Sequence, residues 1–138
     1  MISRPELRWT TFWWLCDWAI VLVVILGSLL PQQDLPAPIS FFNDKFLHFT
    51  AYFLMMMWFA GSLEPQRYIW PVIGLCVLGA LIEWLQYLMG FGRDADWRDF
   101  VADAAGVFLG LALARAGLGN WMAWVERRFV REHGNEPG

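Results

Sequence analysis

The chain has 138 residues, 58% of them hydrophobic, with a mean hydropathy of +0.41 and a formal net charge of −3. This length suits one domain, and this apolar excess excludes an ordinary soluble composition. A net acidic chain whose few basic residues are better explained by membrane topology also argues against nucleic-acid binding.

Four predominantly apolar stretches follow one another, at about 12–30, 46–63, 68–89 and 100–118. Each is near the ~20 residues that a helix needs to cross ~30 Å of hydrocarbon. Only helices and closed barrels satisfy the backbone in lipid, and these runs lack the alternation of barrel strands. The expectation is an all-α fold, a four-helix transmembrane bundle forming one domain over residues 1–138.

The first stretch follows Arg4 and Arg8, which also suits a secretory signal peptide, but it is long and Gly27-Ser28-Leu29-Leu30-Pro31 is a poor cleavage site. A retained anchor is expected. Pro31, Pro36 and Pro38 break the chain, and Asn43-Asp44 can cap the second helix. Glu64-Pro65 closes that helix, and the short link makes the second and third helices antiparallel neighbours. Gly90-Phe91-Gly92 stops the third, and the charged stretch Arg93 to Asp99 leads into the fourth. After Gly117, the stretch Trp121 to Val130 mixes aromatics with Glu126, Arg127 and Arg128, as in an interfacial helix or a plain extension of the fourth helix. His133 onwards reads as a frayed tail. Cys16 and Cys76 lie inside apolar stretches and read as small core residues.

An even number of spans puts both termini on one side, together with Arg4, Arg8, Arg67, Arg115, Arg127, Arg128 and Arg131; Lys45, Arg93 and Arg98 fall opposite. The positive-inside rule then makes the termini cytoplasmic. Asp34, Asp44, Glu83, Asp94, Asp96, Asp99 and Asp103 all fall in the outer half, leaving it at about −4. An outer ligand would be cationic, or a divalent cation would balance the carboxylates. Trp9, Trp13, Trp14, Trp70, Trp121 and Trp124 read as an inner interfacial belt.

The chemistry is concentrated at one depth. Asp44 and His48 share a helix face, with Tyr52 one turn deeper and Lys45 beside them, so a carboxylate can orient the imidazole or join it on a metal. A dipole cap and a structural hydrogen bond are the plainer alternative. Glu83 lies roughly 9 Å inside the third span, where it must be protonated, paired with a base such as Arg93, or metal-bound. Gln86 faces nearly the same way and brings a donor and an acceptor; an interhelical hydrogen bond would also explain it. Asp99 and Asp103 lie above Gly106 and Gly110 on one face, a small-residue stripe that admits a neighbouring helix. Asp94, Asp96 and Arg98 read as a solvated loop face. Walker, His-Glu-x-x-His, G-x-S-x-G and cysteine-framework signatures are absent from the sequence.

Asn43-Asp44-Lys45-Phe46-Leu47-His48-Phe49 with Tyr52, then Glu83-Trp84-Leu85-Gln86, then Gly92-Arg93 and Asp99-Phe100-Val101-Ala102-Asp103-Ala104-Ala105-Gly106 with Gly110, resemble the VanZ-like family of small bacterial membrane proteins. The similarity spans about residues 43–110, and it departs at Asp103, where the family pattern usually has Asn. The resemblance implies a multi-helix bacterial inner-membrane protein, from a family whose namesake is linked to low-level teicoplanin resistance; it supplies no reaction.

The expected function is an outward-facing polar pocket that binds, or also modifies, a lipid-linked or envelope ligand among membrane lipids. His48, Glu83, Asp99 and Asp103 would carry any acid/base or metal chemistry, and Asp44, Lys45, Tyr52, Gln86 and Arg93 would bind the ligand. Whether it is an enzyme stays open. A proton- or ion-coupled carrier, which four short helices would form as a homo-oligomer, and a structural or assembly subunit are the alternatives.

Overall fold

The structure, a computed structural model, describes residues 6–31, 34, 36, 43–90 and 96–133. These are all-helical: α1 Thr10–Leu29, α2 Asp44–Ser62, α3 Ile69–Met89, α4 Trp97–Arg115 and α5 Trp121–His133, with short 3-10 turns at Pro65–Arg67 and Leu118–Asn120.

Local chemistry explains the ends. The Asn43 side chain accepts from the Lys45 backbone N–H and starts α2 two residues before its apolar stretch. Gly90, at φ 59°, stops α3 in the left-handed conformation that glycine tolerates. The fourth helix begins at Trp97 rather than Phe100 because Asp96, not Asp99, is its N-cap, accepting from the Arg98 N–H. It ends at Arg115 rather than Leu118, since Gly117 turns the chain at φ 115°.

Of these helices, α1 and the segment Pro65–Met89 around α3 are long and apolar enough to cross a membrane by themselves. The fourth and fifth qualify only together, as a pair bent by 83°. The described residues thus provide two candidate spans, or three with the bent pair, against the four apolar stretches of the sequence. The physical reason lies in α2, which spends its first two turns on Asp44, Lys45 and His48, and in α4, which carries Arg98, Asp99, Asp103 and Arg115.

The tightest seam joins α2 to α4. These two helices run in the same direction, with their N-termini at one end. A Cβ on Gly106 would collide with the Phe49 carbonyl oxygen, and one on Gly110 would lie 2.9 Å from Met56 Cβ, so the small-residue stripe is what lets the backbones approach. Tyr52, Met55, Met56 and Ala60 of α2 form the buried centre with Leu75 of α3 and Val107 of α4.

The far end differs from its sequence reading. Trp13 is buried and packs edge-on against Trp58 and Trp121, with ring centroids 5.0–6.3 Å apart among the three. Trp121 donates its indole N–H to the Met57 carbonyl. Trp13 therefore belongs to a core cluster with Leu7, Met122 and Ala123 rather than to a lipid-facing belt, whereas Trp9, Trp70 and Trp124 are exposed. The 83° bend rules out a plain extension of α4. Instead α5 folds back across the end of α2, and its Glu126, 3% exposed, accepts from the backbone N–H groups of Arg8 and Trp9 and from the Trp13 indole. Since α1 has no side-chain cap of its own, Glu126 satisfies donors at that helix start from the other end of the chain.

Candidate functional site

The N-termini of α2 and α4 and the C-terminal part of α3 meet at one end of the molecule, and the polar side chains of all three converge there. Two helix starts aim their positive dipole ends at the same place, which favours a concentration of carboxylates.

His48 is 5% exposed and Asp103 1%. The imidazole Nδ1 lies 2.8 Å from Asp103 Oδ1. Its Nε2 faces Asp44 Oδ2 at 4.0 Å, beyond hydrogen-bond reach. With Asp103 ionised, Nδ1 carries the proton and Nε2 keeps its lone pair, as needed for a base or a metal ligand. Lys45 closes the rim, its Nζ 2.9 Å from Asp96 Oδ2 and 3.2 Å from Asp99 Oδ1. The Arg98 backbone N–H first, and the Lys45 ammonium second, hold the Asp96 carboxyl below its usual range.

Glu83 is half-buried, and its Oε2 accepts from the Asp96 backbone N–H at 3.0 Å. It lies close enough to Asp99, His48 and Asp103 to interact with each electrostatically. Among the described residues its hydrogen-bond partner is the N-cap amide of α4, while the expected partner Arg93 lies outside them. Among the described residues, Glu83 Oε1 and Asp103 Oδ2 are buried without a hydrogen-bond partner, and so is the Tyr52 hydroxyl. Such orphans cost about 1–3 kcal/mol each, so this end of the molecule holds polar groups that the described residues do not satisfy.

Asp44, Lys45, His48, Glu83, Asp99 and Asp103 therefore come together, with Tyr52 buried on the same α2 face. Gln86 takes a different part. It donates to the Ser28 carbonyl at 2.8 Å and links α3 to the end of α1, the interhelical bond that was the plainer reading of this residue. Arg93 and Gly92, together with Asp94, lie outside the described residues.

Sequence reasoning missed Asp96, assigned to a solvated loop, although it caps α4, pairs with Lys45 and bonds Glu83 through its backbone. An Asp directly before Trp97, accepting two residues on, was the available signal. It also missed Gly79, where a Cβ would come within 2.8 Å of Asp103 Oδ2; the missing side chain makes room for that carboxylate. At the opposite end, buried Asp17 of α1 accepts from the Ser62 hydroxyl of α2 at 2.9 Å.

No family model, curated protein or solved structure matches this chain.

Proposed function

We propose that this chain is a VanZ-like bacterial inner-membrane protein whose four longer helices cross the bilayer, with both termini cytoplasmic, and whose polar end is an outward-facing pocket for a lipid-linked or envelope ligand. The positive-inside distribution of arginines and the two self-sufficient spans support the topology. The sequence motifs that follow one another over residues 43–110 support the family reading.

One observation carries the pocket: a buried His48–Asp103 pair lies beneath a Lys45–Asp96–Asp99 rim, with unsatisfied carboxylate oxygens on Glu83 and Asp103. In a bilayer such groups are retained when they face a wet cavity and do work there. Lys45, half-exposed at the rim, is the group that would receive a phosphate or carboxylate of the ligand. His48 and Glu83 would follow as acid/base or metal-ligand groups.

The test is native mass spectrometry of the protein purified in nanodiscs from bacterial membranes, paired with teicoplanin susceptibility of the producing cells. Wild-type protein is expected to retain a lipid-linked envelope species that the Glu83→Gln variant loses at equal membrane abundance. If variant and wild type retain the same lipids, or if abundance falls in proportion to function, a structural or assembly role takes the place of the pocket.

A further inference from the structure

The structure points to a divalent transition-metal site formed by His48 Nε2 with one carboxylate oxygen each from Asp44 and Asp99, and we propose Zn²⁺ or Mn²⁺ as its occupant. The inference deepens the pocket reading, in that the ion would lie at the mouth of that pocket beside Lys45.

Three features carry it. The ligand atoms of Asp44, His48 and Asp99 all lie within 4.8 Å of one another. Atoms bound at ~2.0–2.2 Å to one Zn²⁺ lie at most about 4.4 Å apart, so small side-chain rotations suffice to close the set. His48 is 95% buried, yet among the described residues its Nε2 has no hydrogen bond and faces the Asp44 carboxylate across 4.0 Å. A ring nitrogen held at that spacing directs its lone pair at the carboxylate, with room for a cation to be shared between them. The other ring nitrogen is bound to Asp103 Oδ1 at 2.8 Å, the carboxylate–imidazole arrangement that fixes the tautomer and orientation of metal-ligating histidines. Asp103 is thus a positioning residue, and Gly79 gives it the room it occupies.

The donor set selects the ion. One imidazole and two carboxylates suit Zn²⁺ or Mn²⁺ better than Ca²⁺ or Mg²⁺, which prefer oxygen alone, and the two carboxylates neutralise a divalent charge. Lys45 bonds only Oδ1 of Asp99, so the second oxygen of that group is outside the ion pair. Three protein ligands leave a coordination position for water or for an anionic group of a ligand, next to the Lys45 ammonium. A phosphate there would be held between metal and lysine, which names an anionic headgroup as the ligand class for the pocket.

The protein, purified in nanodiscs with His133→Ala so that His48 is its single imidazole, is stripped with chelator and titrated with Zn²⁺ by calorimetry. The Mn²⁺-loaded form is examined by pulsed electron paramagnetic resonance. One equivalent is expected to bind, with nitrogen couplings from one imidazole. Asp103→Asn should weaken binding about 10- to 100-fold through the lost carboxylate. The Asp44→Asn/Asp99→Asn double variant should lose saturable binding at unchanged helical content. The proposal is overturned if wild type takes up no ion in molar excess, or if a folded double variant binds like wild type. Mn²⁺-loaded protein without nitrogen couplings overturns it as well, and this holds even if the double variant does not fold. A missing metal leaves the lipid-retention test standing, and retained metal without a lipid ligand overturns the ligand reading alone.

Discussion

Glu126 accepts the indole N–H of Trp13 at 2.7 Å, joining residues 113 positions apart and tying the last helix to the first. The same carboxylate takes the Arg8 and Trp9 backbone N–H groups, so one side chain holds the start of α1, its aromatic cluster and the fold-back of α5. Hydrogen bonds to a charged acceptor contribute about 1.5–3 kcal/mol each, and water can replace part of the loss at the two backbone groups. Glu126→Ala should therefore lower stability by about 2–4 kcal/mol, and Glu126→Gln by less, since it keeps one acceptor oxygen. Thermal unfolding in detergent measures the difference, and limited proteolysis should show α5 released first.

Gly106 lies in the α2–α4 seam, and a methyl group there meets the Phe49 carbonyl and the Phe53 amide nitrogen, backbone atoms rather than the ends of flexible side chains. Gly106→Ala is expected to cost about 1–3 kcal/mol through overpacking and to disturb the His48–Asp103 pair one turn above. Gly27 of α1 has nothing within 4 Å of its would-be Cβ, so Gly27→Ala should be neutral or stabilising. Parallel melting curves of the two variants check the contrast.

The Lys45–Asp96 pair yields a pH dependence with a definite sign. Asp96 titrates below its unfolded value because the Arg98 N–H and Lys45 favour its charged form. Its contribution is therefore complete above the unfolded carboxylate pKa of about 3.9 and disappears as pH falls through the lower folded value. Wild type and Asp96→Asn should differ in melting temperature by a constant amount from neutral pH to about pH 5 and converge below pH 4. A difference that closes nearer neutrality would contradict the assigned environment.

Much of this molecule could be read from local spacing. The Asn43 cap, the Gly90 stop, the shared face of Asp44, His48 and Tyr52, and the Asp99, Asp103, Gly106, Gly110 stripe all follow from one helix at a time. What could not be read depends on how helices pair. The His48–Asp103 bond requires α2 and α4 to run side by side in the same direction, which no local pattern encodes. Glu83 stands out by its depth, but the Asp96 backbone amide that it accepts from carries no side-chain signature. Trp13 was misassigned because a tryptophan near a helix end looks alike whether it meets lipid or two other indoles. Glu126 was hidden by its exposed neighbours Arg127 and Arg128, with which it reads as part of an interfacial helix or an extension of the fourth.

A pocket of this kind requires the polar groups of α2, α3 and α4 to open to the outer surface, and thiol labelling of intact cells tests this most directly. In a background with Cys16→Ala and Cys76→Ala, single cysteines replace Lys45 and Trp97 at the polar end, and Arg67 and Trp124 at the aromatic end. All four positions are partly or fully exposed in the structure. A membrane-impermeant maleimide should label positions 45 and 97 on whole cells and positions 67 and 124 only after permeabilisation. The reverse pattern, or protection of 45 and 97 in both conditions, would contradict an outward-facing pocket.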